Sequence, residues 1–129
     1  MILNWRDIKN PKSGGAEILT HEIAKRFARK GHSVTFFSSF FPRSKKEEMI
    51  DGVRIIRSGH PDARFLFNSV HFQAFLYYLR NKEKFDVVLD EIHGVPFFTP
   101  LYAGGKKVVL ICEVAGDRWV KMFGPFFGL

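Results

Sequence analysis

The sequence predicts an α/β fold: a parallel sheet between two layers of helices, a three-layer sandwich with strand order 3-2-1-4-5. Three observations predict it. Short β-branched or aromatic runs alternate with segments of helical periodicity, the pattern of strand–helix–strand crossovers. The later runs, "FDVVLDE" and "KKVVLICEV", are almost continuously apolar, as in strands covered on both faces. An amphipathic segment opens on Gly14-Gly15, close behind the first short apolar run.

Ile2–Trp5 reads as the first strand. From Gly15 to Lys30, Ala16, Leu19, Ile23 and Phe27 recur at helical steps, with Ala24 and Ala28 widening the stripe. Glu22, Lys25, Arg26 and Arg29 take the other face, and Gly31 follows the basic last turn as a stop signal. "SVTFFSS" is the second strand, and "DGVRIIRSG" a turn followed by the third. A second helix is expected from Arg64 to Asn81, with Phe65, Phe72, Phe75, Leu76 and Leu79 inward. "FDVVLDE" and "KKVVLICEV" supply strands four and five, with Pro96–Tyr102 between them a short helix or turn. The whole is a Rossmann-like half without repeat, linker or low-complexity tract, and at 129 residues a single domain.

Composition narrows the class. Hydrophobic residues make up 46% and include 15 Phe, yet no apolar run approaches the roughly 20 residues of a membrane span. "MILNWRD" has neither a basic leader nor a small-residue cleavage site, so it does not read as a signal peptide. The single cysteine, Cys112, cannot form an internal disulfide, which fits a reducing, cytoplasmic setting. A net charge of +7 favours anionic partners, but the basic residues are scattered and no nucleic-acid motif accompanies them, so nucleic acid is not an expected partner.

In a parallel sheet of this kind ligands bind beyond the carboxyl ends of the strands. Three segments converge there: "NWRDIKNPKSGG", "DEIHGVPFF" and "CEVAGDRW". The first matches neither the dinucleotide fingerprint nor a P-loop. Gly14-Gly15 either forms an ordinary turn, with Ser13 as cap and Glu17 complementing the helix dipole, or admits a phosphate to a helix N-terminus. Asp90, Glu91 and His93 are equally readable as substrate contacts or as a loop-edge hydrogen-bond cluster. Cys112 reads as a buried thiol, since Glu113 beside it opposes a nucleophilic thiolate. The five histidines have no metal-ligand spacing, so no metal is expected. Phe123, Phe126, Phe127 and Leu129 in the tail suggest a partner surface or a continuation.

The stretches "NWRDIKNPKSGGAEILTHEIAKRFARKGHSVTFFSS", "DGVRIIRSG", "FDVVLDEIHGVPFFTPLY" and "VVLICEVAGDRW" together resemble the N-terminal domain of glycosyltransferase family four, which has the GT-B fold. The similarity runs from Leu3 to about Trp119, and its most specific part is G-G-A-E followed by a helix ending in R-K-G-H-S-V-T. The resemblance implies transfer of a sugar from a nucleotide-sugar to a sugar or lipid-linked acceptor, with retention and without an essential metal or other cofactor. It implies that Gly14 and Gly15 lie against the donor diphosphate, and that Glu17 shares that signature. Trp5, Arg6 and Asp7 would sit in the cleft, and Asp90, Glu91, His93 and Pro96 would face the acceptor, with Glu113 nearby.

Two departures accompany it. Cys112 stands where many relatives carry histidine near the transferred sugar. The family's second, donor-binding domain, with its E-x7-E motif, has no counterpart in residues 1–129; Glu83 and Glu91 share the spacing by coincidence, flanking a strand of the first domain. The chain is therefore expected to be the acceptor-side domain, incomplete at "FGPFFGL" and dependent on a donor-binding domain in cis or trans. Its expected place is the cytoplasm, with peripheral contact to an anionic inner membrane face. The competing expectation is a non-catalytic Rossmann-like module that docks a protein or lipid surface, favoured by Cys112 and the missing half.

Overall fold

The computed structural model describes residues 1–112. In chain order the elements are β1 (Ile2–Leu3), α1 (Gly15–Arg29), β2 (Thr35–Ser38), β3 (Glu47–Ile50), β4 (Val53–Arg57), α2 (Val70–Asn81), β5 (Val87–Ile92) and β6 (Lys106–Ile111). The sheet runs β3-β4-β2-β1-β5-β6. Its parallel strands, β4-β2-β1-β5-β6, reproduce the expected 3-2-1-4-5 order. β3 is the addition, an antiparallel edge strand paired to β4 through Asp51-Gly52. These two residues have φ of 52° and 80°, the left-handed pair that a tight hairpin demands.

The pleat sends alternate residues to opposite faces. Leu3, Phe37, Ile56 and Val88 pack against Val70, Ala74 and Tyr78 of α2. Ile2, Phe36, Val53 and Ile55 pack on the other side, with Ala24 of α1. Each large side chain so buried is worth about 1.5–3 kcal/mol of transfer free energy. At the far edge of the described residues stands β6, with Val108, Val109 and Ile111 about half exposed.

Helix faces differ from the periodicity reading. α1 buries Glu17, Thr20, His21 and Ala24, whereas Leu19 and Phe27 are exposed. The helix is turned by roughly 100° from the apolar stripe, because polar partners wait beneath it. The expected helix from Arg64 is a 3-10 turn, Ala63–Asn68, followed by α2. Ser69 separates them, its hydroxyl accepting from the Phe72 amide at 3.3 Å. Phe65 and Leu79, expected inside, are exposed, while Val70, Ala74 and Tyr78 are buried. Gly59 lets the chain pass there: its φ is 82°, and a Cβ would lie 2.7 Å from the Ser69 backbone.

A buried ion pair fixes the loop between β1 and α1. Arg57, ending β4, donates to both Asp7 carboxylate oxygens at 2.7 and 2.8 Å, with both side chains fully buried. Ser38 donates to the same carboxylate at 2.7 Å, and Glu48 of β3 takes the remaining guanidinium edge at 2.6 Å.

Removing one partner of such a pair strands a buried charge, so Arg57→Met should lower unfolding free energy by about 3–5 kcal/mol. Adding Asp7→Asn should recover part of that loss, as read by urea denaturation. A loss below about 1 kcal/mol would show that the pair is solvated. Gly59→Ala should fail to accumulate as folded protein, since the obstructing atoms are backbone; a cooperative melt near the parent's would refute this.

Candidate functional site

The carboxyl ends of β1, β5 and β6 converge beneath the start of α1, and three groups of side chains meet there. The first is a buried polar cluster. Glu91, near the end of β5 and 1% exposed, accepts through Oε2 from Asn4 Nδ2 and from Thr20 Oγ1, the latter at 2.6 Å. Glu17, 2% exposed, accepts the Gly14 amide through Oε2 at 2.6 Å, leaving its Oε1 without a protein partner. Burial raises the Glu91 carboxyl to about 7, Glu17's charge adding to the shift while bonds from Thr20 and Cys112 oppose it. The Cys112 thiol is pushed up to about 11 by burial and by the Glu91 charge, so it is a thiol at neutral pH and not a nucleophile.

The second group is the start of α1 itself. The N–H groups of Gly15, Ala16 and Glu17 precede the first intrahelical acceptor, and Ile18 N is the first to find one, on Gly14 O. Gly14 is extended, at φ −134° and ψ −156°, so its backbone does not need glycine. A Cβ on Gly15 would meet no protein atom within 4 Å. The chain's own packing therefore does not dictate either glycine, and the space above them is open.

The third group lines a pocket of about 250 Å³. Trp5 and His93 stack with centroids 5.1 Å apart, and the Arg6 guanidinium lies 4.1 Å from the Trp5 ring centroid. The Trp5 Nε1 atom is buried without a partner. His71, also on this wall, meets the Val95 carbonyl through Nε2 at 3.2 Å; burial lowers its pKa, so it is neutral, donates from Nε2 and keeps an unpartnered Nδ1.

The residues singled out from sequence separate accordingly. Trp5, Arg6 and His93 share the pocket. Glu17, Glu91 and Cys112 share the polar cluster. Gly14 and Gly15 form the exposed helix end above it. Asp7 is withdrawn into its pair with Arg57 and does not face the cleft. Asp90 points to the opposite side of β5 from Glu91 and holds the following loop, accepting from Phe97 N, Thr99 N and Thr99 Oγ1. Pro96 is half-buried in that loop. Glu83 lies exposed before β5, on the opposite end of the strand from Glu91. Glu113 and the aromatic tail lie outside the described residues.

Asn4, Thr20, Arg57 and His71 were missed. Thr20 and Glu91 are 71 positions apart, and no local pattern connects them; only the burial of a polar helix face reveals the pairing. Among the described residues no group of three or more His, Cys, Asp or Glu side chains could hold a metal ion. No helix among them is long and apolar enough to cross a membrane.

A family model, Glycosyltransferase Family 4, matches residues 13–114, beginning one residue before Gly14. No curated protein and no solved structure matches the chain.

Burial costs Glu91 more in its ionised form than in its neutral form. The folded chain therefore holds a proton that the unfolded chain releases near 4.5. Its stabilising contribution is complete below pH 4.5 and is lost as pH rises to about 7, at most about 3 kcal/mol in all. Glu91→Gln should remove this loss, so the variant gains on the parent between pH 5 and pH 8 in urea midpoint. Parallel pH profiles for the two chains would show that the carboxylate is already ionised in place.

Proposed function

The chain belongs to glycosyltransferase family 4, and from that premise we propose that it forms the acceptor-side wall of an enzyme moving a sugar from a nucleotide-sugar to an acceptor with retention of configuration. The observation that carries the reading is the family match opening on a glycine helix end that is sterically vacant and has unpaired N–H groups. Such a terminus is suited to an anion: the amides point outward and the helix dipole adds partial positive charge. The donor diphosphate lies against Gly14 and Gly15, and the acceptor occupies the pocket of Trp5, Arg6 and His93. A donor-binding domain supplies the opposite wall, in cis or in trans, and without it the chain transfers little or no sugar, because both reactants must be held.

Glu91 and Cys112 support the helix end from below. A carboxyl group raised to about 7 by burial is ionised in only about half of the molecules at neutrality, and so repels a diphosphate less than a fully ionised one would. Cys112, uncharged, adds no negative charge beneath the site. The nucleotide-sugar is substrate, not cofactor, and the chemistry requires no metal. The bonded Cys112 thiol also favours a second reading, a non-catalytic binding module, because it offers no imidazole to the sugar.

Gly15→Ala separates fold from function. Alanine at a helix start should hold or slightly raise the melting temperature, whereas its methyl group occupies the space given to the diphosphate. With a donor-binding domain supplied, donor KM should rise at least tenfold over the parent. An unchanged KM in a stably folded variant would remove Gly15 from the donor site. No transfer from any nucleotide-sugar by the reconstituted parent would remove the transferase reading itself.

A further inference from the structure

The acceptor-side pocket does not end at its own wall. Ala63, His71 and Val95 line it and also line a second cavity of about 440 Å³. The two cavities thus abut across shared residues, and their chemistries are opposite. The second is walled by Phe67, Phe72, Phe75, Phe98 and Leu101, with few polar atoms. Of the two hydroxyl side chains on its wall, Ser69 is already committed to Leu66 O and Phe72 N, whereas the Tyr102 hydroxyl is buried without a partner. Phe72 and Phe75 are only partly buried, since α2 turns Val70, Ala74 and Tyr78 into the core instead. Phe67 and Leu101 are 72% and 82% exposed, a concentration of apolar surface beside a cleft that calls for an occupant.

The first cavity sets the character of the other end. Arg64 is paired with Asp62, so those charges offset each other. Arg6 donates to the Lys12 carbonyl and stacks on Trp5, and has no carboxylate partner among the described residues. The Trp5 ring lines the same cavity beside Arg6, its Nε1 buried without a partner. An occupant spanning both cavities therefore has an anionic, oxygen-rich head and a hydrocarbon tail.

We propose that the two cavities form one binding site for a lipid with an anionic head, the head lying against Arg6 and Trp5 and the tail in the groove of Phe67, Phe72, Phe98 and Leu101. That this lipid is the sugar acceptor rests on the glycosyl-transfer reading; that it binds does not.

Alkyl phosphates below their micelle concentrations test the site on the full chain by titration calorimetry. Each buried methylene should tighten binding about three- to fourfold, so octyl phosphate should exceed butyl phosphate by at least fiftyfold, and inorganic phosphate should bind least. Leu101→Glu and Phe67→Glu change exposed residues and should spare the fold while flattening the dependence on tail length. Arg6→Gln should weaken every alkyl phosphate about equally and leave that dependence intact. Octanol binding as tightly as octyl phosphate would overturn the anionic head. Affinity independent of tail length would overturn the groove, as would tight binding to phosphatidylglycerol vesicles with none to octyl phosphate, which would mark a membrane-facing surface. With the donor-binding domain supplied, transfer to a soluble sugar alongside a flat tail-length series would sink the lipid site alone. A steep series with no transfer to any acceptor would sink the transferase reading and leave the lipid site standing.

Discussion

Asp7 and Arg57 meet where neither side chain touches solvent, and the course of the chain into α1 follows from that meeting. A guanidinium with one carboxylate on its fork and another on its remaining edge is satisfied in a single orientation. The loop then folds on its own side chains. Lys9 N donates to Asp7 Oδ1 at 3.0 Å and Lys12 N to Asn10 Oδ1 at 2.9 Å, two turns closed by acidic or amide side chains. Gly14 is delivered to the carboxyl end of the sheet by these contacts, not by apolar packing. Trp5 and Arg6, just upstream of the anchor, are left facing the pocket.

Beneath the helix start a second constraint operates. α1 presents Glu17, Thr20 and His21 to the protein, and each of these meets a polar group: the Gly14 amide, Glu91 and Asp51 respectively. Burying a polar side chain costs free energy unless it finds a partner, and each of these three finds at least one. The pairing dictates the rotation of the helix, and the rotation dictates which amides open onto the cleft. Ile23 and Phe27 of the apolar stripe are displaced towards the side of β5 and β6 as a consequence, and Leu19 is left exposed.

The order of the parallel strands was legible because alternating periodicity and right-handed crossovers leave few arrangements. β3 was not read as a strand, since "EEMI" carries two charges and alternates between exposed and half-buried positions. Its signal was nevertheless present in Asp51-Gly52, flanked by Ile50 and Val53, the sequence of a tight hairpin. The break at Ser69 was likewise available as a capping residue. The faces of α1 were not legible, because apolar periodicity cannot register a polar side chain whose partner lies on a distant strand. Trp5, Arg6 and His93 could be placed together from topology, whereas Asp7 and Asp90 shared that neighbourhood in sequence and were claimed by Arg57 and by the loop to Thr99.

The two edges of the sheet are unlike. β3 borders one side with Glu47 and Glu48, each tied to an arginine, on an antiparallel ribbon, features that discourage further pairing. β6 borders the other with Val108, Val109 and Ile111 about half exposed. Among the described residues the sheet thus has one border that discourages a further strand and one that is open to it. Growth of the sheet is thereby given a direction: a further strand that hydrogen-bonds to it joins at β6 and not at β3.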